Sequence, residues 1–140
     1  MSAYRFLHPI EVRYGDLDPQ GHVNNAKYLT YFEQARIAYL IHLGLFTKNQ
    51  SFMEIGIILA EVHLTFKAPT HFGQNVQVGV RTTRLGNKSL EVESALLDCD
   101  DNRELAVGTA VLVTYDYAAG QSIPIPDAWR KAITQFESGE

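Results

Sequence analysis

The stretch Ala26-Lys27-Tyr28-Leu29-Thr30-Tyr31-Phe32-Glu33-Gln34-Ala35-Arg36-Ile37-Ala38-Tyr39-Leu40-Ile41-His42-Leu43, closed by Gly44, decides the fold. Asn24 or Asn25 supplies an N-cap ahead of it, and Gly44 is a natural stop behind it. A helix over residues 26–43 would be about 27 Å long. Its first half carries Lys27, Thr30 and Gln34 on one side, whereas residues 35–41 are apolar almost all round. A helix of that kind asks for cover on most of its sides.

The segments around it offer that cover. Upstream, Ile10, Val12 and Tyr14 alternate with Glu11 and Arg13, which predicts a first strand over residues 10–14. Downstream, Ala60, Val62, Leu64 and Phe66 alternate with Glu61, His63, Thr65 and Lys67; Val76, Val78 and Val80 alternate with Gln77, Gly79 and Arg81. A third segment, 89–97, is joined to the second by Gly86-Asn87, a turn suited to a tight hairpin. The polar turn Asp98-Cys99-Asp100-Asp101-Asn102 leads to a fourth, 104–115. After Gly120 and two prolines, residues 127–136 read as a short helix with Trp129, Ile133 and Phe136 on one side. One curved, mostly antiparallel sheet of about five strands around a long central helix satisfies these patterns, an α+β architecture.

The chain has 140 residues, room for one domain with an adequate core, and the reading is a single domain over residues 1–140. No repeat, linker or low-complexity segment interrupts it. Apolar residues make up 46% and charged residues 20%, a globular composition. The single cysteine, Cys99, excludes an internal disulfide and points to a reducing, cytoplasmic compartment. Residues 1–12 lack the basic start and apolar run of a secretory signal. The longest apolar runs, such as 55–60, are too short to span a bilayer, so no membrane insertion is expected. A net charge of −4 argues against nonspecific nucleic-acid binding.

Polar chemistry is densest in Tyr14-Gly15-Asp16-Leu17-Asp18-Pro19-Gln20-Gly21-His22-Val23-Asn24-Asn25, just before the helix. A helix N-terminus presents unpaired N–H groups and the positive end of its dipole, which suits an oxyanion. A carboxylate beside it can act as base or nucleophile. The competing reading is structural: Asp16 and Asp18 shape an Asx-type turn and an asparagine caps the helix. A calcium loop is excluded, because its twelfth position would be Lys27. There is no Gly-x-Ser-x-Gly elbow, no His-Glu-x-x-His and no Cys-x-x-Cys, which removes the serine-hydrolase and zinc readings. Cys99 lies between two acids that raise a thiol pKa, and His42 reads as a packed core or edge histidine. A second candidate, the hairpin from Arg81 to Ser89, holds three cations and several hydroxyls that could grip phosphate, or else it is an ordinary solvated tip.

The run from Asp16 through Asn25 to Tyr28, continuing into Tyr31-Phe32-Glu33-Gln34-Ala35-Arg36, resembles the signature of hotdog-fold acyl-CoA thioesterases of the 4-hydroxybenzoyl-CoA thioesterase-like family. Phe66-Lys67-Ala68-Pro69, Gly86-Asn87-Lys88-Ser89 and residues 106–110 extend the resemblance over nearly the whole chain. It implies a hotdog fold that dimerises by joining two sheets edge to edge, often as a dimer of dimers, with sites at the subunit interface. Its catalytic aspartate falls on Asp18, its carbonyl-polarising backbone N–H on Asn25, and a secondary catalytic position on His22. Asn24 and Tyr28 would contact substrate, and Arg84, Lys88 and Ser89 the nucleotide or pantetheine part of coenzyme A. The substrate would be an acyl-CoA or acyl-carrier-protein thioester, with no separate cofactor. Members acting on aromatic thioesters carry bulky residues where this chain has Asn24 and Asn25, which argues against a strict hydroxybenzoyl preference and leaves aliphatic and aromatic acyl groups both open. Two other functions stay open: a hotdog-fold enoyl-CoA hydratase using Asp16 and His22, since residues 15–22 come near its Gly-Asp-x-Asn-Pro-x-His pattern, and a non-catalytic acyl-CoA binding module.

Overall fold

The computed structural model describes residues 3–51, 54 and 56–139. Among these residues, six strands and two α-helices follow in the order β1 (Phe6–Ile10), α1 (Asn25–His42), β2 (Ile57–Phe66), β3 (Val76–Leu85), β4 (Ser89–Asp98), β5 (Glu104–Asp116), β6 (Gln121–Ser122) and α2 (Asp127–Ser138). The five long strands form one antiparallel sheet in the order β1-β3-β4-β5-β2, and β6 adds a two-residue pairing to β5. Valines 76, 78 and 80 of β3 and Leu90, Val92 and Leu96 of β4 turn one face of the sheet into the core. α1 packs on β1, β3 and β4, so the expected sheet on a central helix is the observed one.

Two expectations need correction. The first strand lies earlier than predicted, at Phe6–Ile10, and residues 14–16 form a 3-10 turn instead. Ile10 and Val12 are both buried, which mimics strand alternation, but β3 begins opposite Ile10 and offers nothing further to pair with. Tyr14 is 80% exposed. Pro9 hides the true strand from sequence reading; it is tolerated because β1 is an edge. The helix, for its part, is not covered all round. Tyr28, Tyr31, Phe32, Ala35, Arg36, Tyr39 and Leu40 form one buried stripe, while Leu29 and Glu33 remain exposed and Ile37 is half-buried. Its ends agree with expectation: Asn24 caps the start through its side chain, and Gly44 takes a positive φ of 77° after the last turn.

The two sheet edges differ. β2 is ten residues long and carries exposed Ile58, Leu59, Val62 and Phe66. It starts earlier than the predicted alternation because a bulge at Ala60 shifts its register against β5, between Leu59 and Glu61. Ile57 and Leu59 face α1 before the bulge, and Val62 and Leu64 face it afterwards. Ile55, in the apolar run 55–60, lies outside the described residues. Opposite Leu64, Gly108 has no side chain because a Cβ there would stand 2.8 Å from the Phe32 ring.

α2 closes the far end of the helix. Ile133 is buried, and the Glu137 carboxylate receives hydrogen bonds from the Tyr39 hydroxyl and the Thr82 amide. No helix among the described residues is long and apolar enough to cross a membrane.

Candidate active site

Between the 3-10 turn and α1 the chain makes a miniature hairpin. Leu17 bridges Val23, the Asp18 amide donates to the His22 carbonyl (2.8 Å), and Gly21 turns the tip with φ of 80°. Asp18 Oδ1 accepts from the amides of Gln20 (2.9 Å) and His22 (3.2 Å), which fixes the carboxylate. Oδ2 accepts no hydrogen bond among the described residues, and the side chain is half-buried. The Val23 amide donates to Thr70, and His22 bridges His71 with their rings edge to face at 5.0 Å. Thr70 and His71 therefore floor the site. Sequence reading missed both, because they come from the segment after β2 and no local pattern marks them.

The asparagines divide the work at the helix start. Asn24 Oδ1 accepts from the Ala26 amide (3.0 Å) and the Asn24 carbonyl from the Lys27 amide (2.8 Å). The Asn25 N–H has no acceptor among the described residues and sits at the positive end of an eighteen-residue helix. A half-buried carboxylate and an unmet helix N–H thus belong to one loop, seven residues apart in sequence. That pairing can deprotonate or attack, and can stabilise an oxyanion.

Asp16 has a different setting. It is 6% exposed, takes the Tyr31 hydroxyl (2.7 Å) and the Arg13 amide (3.0 Å), and faces Lys27 at 4.0 Å. Burial alone would raise its pKa, but the Tyr31 and Arg13 hydrogen bonds and the Lys27 charge together hold the carboxyl below its usual range. Burial, and after it the same hydrogen bond to Asp16, pushes the Tyr31 hydroxyl well above the ordinary tyrosine value. Asp16 is the anchor of the turn. Burial, then Asp98 and Asp100, pushes the Cys99 thiol up, which makes it a poor nucleophile. His42 is an exposed edge histidine against the Phe6 and Phe136 rings.

The other predicted contacts are scattered. Tyr28 is buried, shares a hydrogen bond with Thr70 (2.8 Å) and stands edge-on to Phe66. Arg84 and Lys88 are exposed and Ser89 half-buried, all at the opposite end of the sheet from Asp18. α1 spans the gap, from Tyr28 on Thr70 to Tyr39 on Thr82, a rise of about 16 Å along the helix. One chain does not bring the hairpin and Asp18 together. Nor is the tip a free loop: Arg130 donates to the Gly86 carbonyl, and the Ile125 and Thr114 amides donate to those of Asn87 and Lys88.

A cleft lies along α1, between the helix and β2, starting at Leu29, one helical turn beyond Asn25. One part, about 210 Å³, is walled by Leu29, Phe32, Leu59 and Val62; the adjoining part, about 320 Å³, by Ile37, Ile57, Leu112 and Tyr117. Glu33, Arg36 and Leu59 line both.

Residues 12–133 match the thioesterase-like superfamily, and the chain belongs to it. A thioesterase from Thermus thermophilus, solved with coenzyme A and Zn, is 34% identical; the alignment covers 99% of this chain and 98% of that one with a TM-score of 0.86. The fold is accordingly the hotdog fold of acyl-CoA thioesterases. A betainyl-CoA thioesterase of Pseudomonas aeruginosa is 30% identical over 77% of this chain and 68% of its own length. An L-carnitine dehydrogenase/betainyl-CoA thioesterase of Agrobacterium fabrum is 27% identical over 96% of this chain, which spans only 27% of that protein.

Proposed function

We propose that the protein hydrolyses an acyl-CoA thioester to the free acid and coenzyme A, with Asp18 as general base or nucleophile and the Asn25 N–H receiving the carbonyl oxygen. The observation that carries this is the conjunction at the helix start of a fixed, half-buried carboxylate and the N–H left without an acceptor. A single oxyanion donor is worth about 3 kcal/mol in the transition state. His22, held beside His71, is the secondary candidate for steering a water or the leaving thiolate. Asn24 shapes the helix mouth, and Tyr28 supports the wall that Phe66 presents to substrate.

A second copy completes the site in this proposal. β2 leaves a long apolar edge without a neighbouring strand among the described residues, a liability that pairing with another chain removes. A homodimer joined along β2, paired again into a tetramer, brings the Arg84, Lys88 and Ser89 hairpin of another subunit to the coenzyme A tail. Acyl-carrier-protein thioesters present the same pantetheine arm and are the alternative carrier. The enzyme works in a reducing cytoplasm.

The hydratase reading asks Asp16 to exchange protons, yet its buried carboxylate is engaged by the Tyr31 hydroxyl and the Arg13 amide, faces Lys27, and is held toward the ionised form. The test is thiol release from a panel of aliphatic and aromatic acyl-CoAs, run beside Asp18→Asn. Near-wild-type turnover by that variant would remove Asp18 from the mechanism. Binding without thiol release would leave a non-catalytic module.

A further inference from the structure

Arg36 is a charged side chain of α1 to which the proposed reaction gives no task. It is 8% exposed, its buried Nε has no acceptor, and its guanidinium makes no hydrogen bond or ion pair among the described residues. Glu33, one turn back, is exposed and only favours the charged form from a distance, against the downward pull of burial. A guanidinium keeps its proton in a protein and carries five donors in a planar fork. A buried charge with no counter-charge is strongly unfavourable, so a position that keeps one invites an anion.

Geometry says where that anion would come from. Asn25, Leu29, Glu33 and Arg36 follow one another along a single side of the helix. The rise from Asn25 to Arg36 is about 16 Å, and a helical side chain leans back toward the N-terminus, which shortens the gap. The cleft walls between them are mostly apolar, Leu29, Leu59 and Val62, then Leu112 and Ile57, with Glu33, Ser94 and Thr109 among the polar members of the lining. Apolar walls suit a methylene chain, and a guanidinium at their end suits a carboxylate gripped by two parallel hydrogen bonds.

We infer that Arg36 reads the far end of the acyl group, so that the preferred substrate is the mono-thioester of a medium-chain dicarboxylic acid, its free carboxylate seated on the Arg36 guanidinium. This rests on the thioesterase reading and on the acyl chain entering the cleft from the Asn25 end. The same cation repels a quaternary ammonium acyl group, so betainyl-CoA is expected to be a poor substrate.

The test compares kcat/KM for thiol release by the full chain on three thioesters: the eight-carbon dicarboxylic mono-CoA ester, octanoyl-CoA and betainyl-CoA. The dicarboxylic ester is expected to lead octanoyl-CoA by at least about tenfold. Arg36→Met should bring that ratio toward one, and Arg36→Lys should keep part of it. Octanoyl- or betainyl-CoA serving the wild type as well or better would overturn the inference, and this comparison stands even where a variant fails to fold. A folded Arg36→Met that keeps the wild-type ratio would overturn it too, most directly if size-exclusion shows a lost oligomer and so a structural role between subunits. No thiol release from any of a broad acyl-CoA panel would instead fell the thioesterase reading, and this inference with it.

Discussion

Asp16 and Asp18 stand two residues apart, yet the inner half of the loop buries the first under Tyr31 while the outer half leaves the second half-exposed at the helix mouth. Both accept two hydrogen bonds. Those to Asp16 arrive on Oδ2 from a core tyrosine and the chain before the turn, and Lys27 faces the other oxygen. Those to Asp18 arrive from the loop's own amides and converge on one oxygen, so Oδ2 stays open. One carboxylate is consumed by structure and the other is positioned and left available. The difference teaches that within a short acidic motif, the direction from which donors arrive separates a carboxylate tied into the fold from one with an oxygen left without a donor.

Substitutions at the loop can break this division. The largest effect is expected from Asp18→Asn, which keeps the oxygen that Gln20 and His22 address but removes the charge. Turnover should fall about a thousandfold, with the thermal midpoint almost unmoved. Asp16→Asn should show the reverse, a stability loss of about 2 to 3 kcal/mol in urea titration with whatever turnover the folded fraction supports. Its depressed pKa adds a pH signature. The stabilisation from Asp16 is fully present above the carboxyl's unfolded-state pKa and is lost as pH falls through the lower folded-state value. Denaturation midpoints followed into acid should therefore decline less steeply in Asp16→Asn than in the wild type. Tyr31→Phe removes one donor from the same anchor and should cost about 1 to 2 kcal/mol by the same titration. Asn24→Ala is the gentlest, about 1 kcal/mol from the lost cap, and calorimetry should register it without a comparable loss of thiol release.

The hotdog architecture was legible where a residue's burial follows from its own neighbours in sequence. The valines of β3, the Gly86-Asn87 hairpin and the run ending at Gly44 each carry their period or their turn locally. Misreadings arose where partners decide. Pro9 argues against a strand until β1 is known to be an edge, and Tyr14 continues an alternation with no strand left to pair with. The apolar ring of residues 35–41 was real, but Ile37 faces the cleft and only one stripe faces the core. At the site, the roles proposed for Asp18 and Asn25 rest on a resemblance. The anchoring of Asp16 by Tyr31, the floor of Thr70 and His71 and the bare guanidinium of Arg36 required the tertiary structure.

The bulge at Ala60 has a consequence for descent. Because side chains alternate from face to face along a strand, one extra residue reverses which of them look inward. Ile57 and Leu59 wall the cleft on one phase; on the other Val62 walls it and Leu64 packs on the core, with Ala60 as the pivot. Deleting that single codon would turn Ile57 and Leu59 outward and their neighbours inward, changing one half of the wall while sparing the half nearest Asp18. A lineage could thus recut the depth of its channel in one step of length, where point changes would need several.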